Sequence, residues 1–285
     1  MNYRHAFHAG NFADVLKHAV LSLALVRLTA KPKPLRVIDT HAGAGSYRLD
    51  GAEAVRTGEW RDGIGRLVGP DAPALPADMA ELLAPYLDVV RAASLPGCLD
   101  VYPGSPAISL ALTRPGDRLV ACELQPDDAG SLRHALRSDR RAKVLESDGW
   151  QAIKALLPPK ERRGLVLVDP PFEEAGEMQR LVDALIEGTR RFATGTYMLW
   201  LPVKDLRQAA SFEAALSRLG LEKLIWIGLA IEEPATAERL AACALVVLNP
   251  PFGLEDDLGR LLPFLVDRLG TGPGASWQLR RVGSR

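Results

Sequence analysis

The tetrapeptide Asp169-Pro170-Pro171-Phe172 carries the densest chemical information in this sequence. It closes an apolar run, Gly164–Val168, that reads as a buried strand. Each proline fixes its own φ and restricts the residue before it, so the Pro170 carbonyl is held rigidly. A carboxylate beside a rigid carbonyl can accept both hydrogens of an exocyclic amine. The N6 lone pair of adenine is delocalised into its ring, and acceptors that hold its hydrogens favour a pyramidal, nucleophilic nitrogen. An aromatic at the fourth position can stack on a base drawn out of its helix. Catalytic roles are therefore expected at Asp169, Pro170 and Phe172. A second tetrapeptide, Asn249-Pro250-Pro251-Phe252, follows the apolar run Leu245–Leu248. It sits on the last strand in order, and reads as a structural turn or a wall on the substrate side.

Three further strand ends suit a nucleoside ligand. Asp39-Thr40-His41-Ala42-Gly43-Ala44-Gly45 follows a short apolar strand, and its small residues allow a ligand to approach the backbone. The spacing is G-x-G with no third glycine and no Lys-Ser or Lys-Thr, which excludes a P-loop. Glu123 ends the run Leu119–Cys122, where a carboxylate can accept ribose hydroxyls. Asp148-Gly149 ends a third strand, where an acid can receive the amino group of an adenine. Taken singly, each also fits a solvated strand end or an ordinary Asp-Gly turn. Placed together, they line one edge of one sheet. His5, His8 and His18 lack the acidic partner spacing of a known metal site, and no metal is expected.

Alternating strands and helices must position these groups. Strands are expected at 35–38, 118–123, 143–146, 164–169, 196–201, 223–231 and 241–248. Helices are expected at 12–28, 126–137, 150–157, 174–192, 205–219 and 254–269. Asn11 is placed to cap the first helix, with Asp14 in its first turn and Val15, Ala19, Leu23 and Val26 as its apolar stripe. Such alternation builds a mostly parallel sheet covered on both faces. The last two strands, joined without a helix, suggest an antiparallel pair. The expected class is α/β, a Rossmann-like S-adenosylmethionine-dependent methyltransferase fold with a seven-stranded sheet. About 80 residues separate the first two strands, far more than a plain unit needs. Residues 51–104 are read as a helical subdomain inserted within a single domain of 1–285.

Composition sets outer bounds. The 285 residues carry 35 Lys+Arg and 35 Asp+Glu and are 47% hydrophobic, the balance of an ordinary globular protein. No apolar run is long enough to span a bilayer, so no membrane partner is expected. The first residues lack the layout of a signal peptide. Cys98, Cys122 and Cys243 make no paired framework, and a reducing cytoplasm is the expected location. The zero net charge hides local bias: residues 1–50 carry +4, 51–130 carry −6, 131–164 carry +5 and 165–285 carry −3. Local fields guide a polyanion. The two basic segments are expected to flank the site, with Arg133, Arg137, Arg140 and Arg141 holding phosphates.

The block Tyr3-Arg4-His5-Ala6-Phe7-His8-Ala9-Gly10-Asn11-Phe12-Ala13-Asp14-Val15-Leu16-Lys17-His18 closely resembles the opening of the bacterial ribosomal large-subunit (23S) RNA adenine-N6 methyltransferases of the J type. Also similar, in order, are Asp39–Gly45, Tyr102–Pro106, Glu123, Ser147–Gly149, Asp169–Phe172, Trp200–Lys204 and Asn249–Pro251. The resemblance implies S-adenosyl-L-methionine as cofactor and large-subunit ribosomal RNA as partner. It implies cofactor contacts at His18, His41, Gly43, Ser105, Glu123, Asp148, Gly149 and Asp169. Tyr3 would lie beside the target base, with His5 and Lys17 as substrate-side helpers. Two positions depart from the family: Phe172 stands where Tyr is usual, and Phe12 where relatives have His. Stacking survives the first change, while any role of the hydroxyl does not. A monomer is expected. A DNA adenine methyltransferase and a noncatalytic RNA-binding assembly factor are the alternatives. The tetrapeptide is equally compatible with the first, and an intact Asp169 and Glu123 argue against the second.

Overall fold

The computed structural model describes residues 4–233 and 239–283. In chain order the elements are α1 (Phe12–Thr29), β1 (Arg36–Asp39), β2 (Ser46–Arg48), α2 (Ala52–Thr57), α3 (Glu59–Asp62), α4 (Gly65–Val68), α5 (Ala77–Ala92), β3 (Val101–Pro103) and α6 (Ser105–Leu112). They continue with β4 (Arg118–Glu123), α7 (Pro126–Leu136), β5 (Ala142–Glu146), α8 (Gly149–Leu156), β6 (Gly164–Val168), α9 (Glu177–Arg191), β7 (Thr196–Pro202) and α10 (Leu206–Ser217). The last four are β8 (Leu224–Ala230), β9 (Ala242–Leu248), α11 (Leu254–Leu269) and β10 (Ser276–Arg281).

The main sheet runs β10-β8-β9-β7-β6-β1-β4-β5. Strands β5, β4, β1, β6 and β7 are parallel. Strand β9 is antiparallel to both β7 and β8. The expected antiparallel end is therefore present, with one strand more than expected. That eighth strand, β10, pairs antiparallel with β8 and is mostly exposed. Its sequence, Ser-Trp-Gln-Leu-Arg-Arg, has no apolar alternation because an edge strand needs none.

Helix α1 begins where Asn11 accepts hydrogen bonds from the backbone N–H of Ala13 and Asp14, both at 3.0 Å. Every residue from Phe12 to Leu25 is buried, so α1 is enclosed on all sides rather than on one stripe. Val26, expected in that stripe, is instead partly exposed. The α1 helix packs on α5, α6 and α11. The chain leaves the parallel pattern at β2 and returns at β3; these two pair, with Tyr47 opposite Tyr102. Between them, α2 to α5 pack into the same apolar cluster as α1 and the sheet, through Ile64, Leu83, Tyr86 and Leu87.

Candidate active site

Because β1, β4, β5 and β6 are parallel and adjacent, their carboxyl ends fall on one edge. A cavity of about 1110 Å³ opens there. That exceeds the usual range for one drug-sized ligand, and leaves room for a nucleoside cofactor together with a base. Asp169, Pro170, Phe172, Lys17, His5, His18, His41, Gly43, Ser105, Glu123, Asp148 and Gly149 all line it. Tyr3 lies outside the described residues.

The loop after β1 is shaped by close backbone approach. Gly43 has φ +60, and a Cβ there would fall 2.1 Å from the Tyr47 hydroxyl. Its N–H donates to Glu123 at 2.8 Å, and Gln125 N–H donates to the other carboxylate oxygen, also at 2.8 Å. Burial still holds the Glu123 carboxyl above its ordinary pKa, despite those two donors. Asp148 caps α8 by accepting from the Trp150 N–H at 2.8 Å. A Cβ on Gly149 would lie 2.0 Å from the Thr40 carbonyl oxygen, so only glycine lets α8 start this close to the loop.

Asp39 is completely buried, and one of its oxygens accepts from the Ser105 hydroxyl at 2.6 Å. Its other oxygen has no protein partner. Burial raises its pKa to about 7. His41 packs edge-on to Trp150, with ring centroids 5.0 Å apart, and burial lowers its pKa to about 4. His18 is neutral for the same reason, its pKa lowered to about 3. Its Nδ1 lies 2.7 Å from the Tyr102 hydroxyl, which lies 2.8 Å from that of Tyr86. Both tyrosine protons find acceptors when Tyr86 donates to Tyr102 and Tyr102 donates to Nδ1. The imidazole proton then sits on Nε2, a buried atom with no protein partner. In this way α5 and β3, which lie between β1 and β4 in the chain, set the tautomer of a cavity histidine.

The tetrapeptide after β6 meets α1. Lys17 Nζ donates to Asp169 Oδ2 at 2.5 Å and lies 2.8 Å from Asp14 Oδ1. Burial alone would discharge Lys17, but the two carboxylates more than offset it and hold the ammonium well above its ordinary pKa. Asp14 also accepts from the Gly10 N–H and lies 2.9 Å from His5 Nε2. Its role is thus larger than that of a first-turn acid: it joins His5, Lys17 and the start of α1. Asp14 and Lys17 have helical i,i+3 spacing, but Asp169 is 152 residues from Lys17 and no local spacing encodes that contact. Phe172 adopts φ +54, a region where side chains are strained, and stands edge-on to Trp200 at 5.7 Å.

Asn249-Pro250-Pro251-Phe252 is at the other end of the molecule. Strand β9 is antiparallel to β7, so Leu248 lies opposite Tyr197, near the start of β7, whereas Val168 lies opposite Leu199. It cannot form a wall of the substrate cavity. Asn249 instead donates to the carbonyls of Ala193 and Gly195 and acts as a turn. The expectation that the 131–164 basic segment flanks the site needs correcting too. Arg140 and Arg141 precede β5, at the amino edge of the sheet and opposite the cavity. Arg141 is occupied by Asp139 and the carbonyls of Leu110 and Thr113, and Arg133 pairs with Glu146.

A sheet of this order, with its cavity at the carboxyl edge, has the Rossmann-like methyltransferase architecture. The family described as "Ribosomal RNA large subunit methyltransferase D, RlmJ" matches residues 32–281, and the chain belongs to it. It is 43% identical over 281 residues to "Ribosomal RNA large subunit methyltransferase J" of Escherichia coli K12, covering 97% of this chain and 98% of that protein. The protein of the same name in Haemophilus influenzae is 42% identical, with 99% of each chain covered. A crystal structure of a Legionella pneumophila protein superposes with a TM-score of 0.85 at 32% identity, covering 96% of this chain and 98% of that one.

Proposed function

We propose that this protein transfers a methyl group from S-adenosylmethionine to the N6 amine of an adenine in large-subunit (23S) ribosomal RNA. The observation that carries the reading is the Lys17–Asp169 pair in the lining of a cavity with room for a nucleoside and a base, next to a rigid Pro-Pro-Phe turn. The names and near-complete coverage of the relatives supply the RNA class.

The residues present fit the cofactor. Glu123 keeps free lone pairs after accepting two backbone hydrogens, which suits ribose hydroxyls. His18, which lines the cavity, has at Nε2 a buried polar atom without a protein partner, a donor left for a ligand. Gly149 lets the start of α8 close against the Thr40 carbonyl and the His41 ring, at the edge where the nucleoside would lie. When bound, S-adenosylmethionine supplies an electrophilic methyl group.

The chain's own residues do the rest. Asp169 Oδ2 is taken by Lys17, which leaves Oδ1 to accept an N6 hydrogen beside the Pro170 carbonyl. Lys17 fixes the carboxylate and, as a cation, balances the charge of Asp14 and Asp169. Phe172, braced by Trp200, offers a ring face or edge to the base. Most of the rate gain comes from holding two reactants in line. Asp169 need not be a strong base, because the amine sheds its proton after transfer.

Location follows from the substrate: ribosomal RNA methylation is cytoplasmic in bacteria, and no described helix is long and apolar enough to cross a membrane. Incubation with tritiated S-adenosylmethionine tests the reading. Label should enter ribosomal RNA and leave duplex DNA untouched; label in DNA alone would establish the DNA enzyme instead.

A further inference from the structure

The cavity and the opposite edge of the sheet differ sharply in charge. The cavity is lined by ten Asp or Glu and four Lys or Arg. The amino edge is the reverse. Four segments lead into the neighbouring strands β1, β4, β5 and β6: residues 31–36, 114–118, 139–143 and 160–163. Together they hold eleven Lys or Arg against three Asp or Glu. Those three acids are each paired, Asp117 with Arg114, Asp139 with Arg141 and Glu161 with Arg36.

Two of the arginines build the ledge. Arg114 donates to the carbonyls of Thr29, Lys31 and Lys33, at 2.9, 2.6 and 3.0 Å. Arg163 donates to the carbonyls of Leu28 and Lys33. They converge on the 31–33 loop from either side, closely enough that Arg114 adds to burial in lowering the pKa of Arg163. Cations at helix ends often serve only to satisfy the last carbonyls. That explains Arg114, Arg141 and Arg163. It does not explain Lys31, Lys33, Arg140, Lys143, Lys160 and Arg162, which are exposed and, among the described residues, have no side-chain hydrogen bond or ion pair. A row of uncompensated like charges disfavours the free protein and attracts a polyanion.

We propose that this ledge at the amino edge of the sheet is a second phosphate-backbone site, which grips a part of the RNA remote from the target adenine. The proposal rests on the reading of the substrate as RNA. It gives the acidic cavity a division of labour: local contacts select and position one base, while affinity comes from the far edge. A strand of five residues spans about 16 Å, so only an RNA extending well beyond the target loop reaches both sites.

The test compares the wild type with the variant Lys31→Gln/Lys33→Gln/Lys160→Gln/Arg162→Gln. Two RNAs are used, a short hairpin carrying only the target loop and a full large-subunit RNA domain. On the long RNA the variant should show KM raised on the order of tenfold, with the salt slope of binding reduced by about one for each phosphate that the ledge no longer holds. Its kcat, its affinity for S-adenosylmethionine and its activity on the hairpin should be unchanged. Equal KM and equal salt slope on the long RNA would overturn the ledge, as would an equal drop in activity on both RNAs. A wild type that methylates neither RNA would instead overturn the substrate reading, so the two failures are distinguishable.

Discussion

At the scale of single residues, the site turns on one buried triad of charges. Lys17 bridges Asp14 and Asp169, and its side chain is only 5% exposed. Removing its ammonium leaves Asp14 buried among groups arranged for a cation. Lys17→Met should therefore destabilise the fold by roughly 3–5 kcal/mol, measured by denaturant unfolding. The double variant Lys17→Met/Asp169→Asn should cost less than the sum of the two singles, because the second change removes a charge stranded by the first. Strict additivity would mean that the pair is not coupled. Asp169→Ala should abolish methyl transfer while the protein stays folded by circular dichroism. Full activity in that variant would remove Asp169 from the chemistry.

The elements show what was legible in the sequence and what was not. Strand ends at Asp39, Glu123, Asp148 and Asp169 could be placed on one edge from alternation alone, since parallel neighbours fix which end faces the ligand. Helix α11 has the same bounds as its sequence pattern, because Gly253 and Gly270 close an uninterrupted apolar repeat. Four things stayed hidden. The edge strand β10 lacks an apolar pattern, and α6 is eight residues with no polar face to set a period. The Tyr86–Tyr102–His18 chain depends on contacts among α1, α5 and β3, which no local spacing encodes. The placement of the basic segments depends on which end of a strand they precede, and segment charge does not record that. One junction between elements is easily probed. Gly149→Ala pushes a methyl group into the Thr40 carbonyl and should move α8 away from the loop after β1. S-Adenosylmethionine binding by calorimetry should weaken by about tenfold or more, with a lowered Tm. Unchanged affinity would mean that this junction does not form the cofactor site.

For the molecule as a whole, buried histidines couple stability to pH. His18 and His41 are held neutral in the fold, with pKa lowered from 6.5 to about 3 and about 4. The unfolded chain binds protons at both sites below pH 6.5, while the folded chain does not. Their contribution is fully present above pH 6.5 and is lost as pH falls toward 4 and then 3. Within that window stability should drop by up to about 1.4 kcal/mol per pH unit for each histidine. Denaturant titrations between pH 7 and 4.5 check this, and His18→Gln should flatten the slope. A steeper slope in His18→Gln would contradict the assignment. Bound cofactor should also raise Tm with concentration, since it binds only the folded chain. Across the sheet, one edge holds the chemistry and the other holds the surplus positive charge, so the balanced total of 35 and 35 reflects two opposed surfaces rather than a uniform one.

The central claim is that one adenine amine in large-subunit RNA receives the methyl group. Nucleoside mass spectrometry of that RNA, after reaction with purified protein and S-adenosylmethionine, tests it most directly. N6-methyladenosine should be the sole new nucleoside, approaching one per RNA molecule and absent with Asp169→Ala. Methylation of a ribose hydroxyl or of another base, or N6-methyladenosine formed equally by Asp169→Ala, would contradict it.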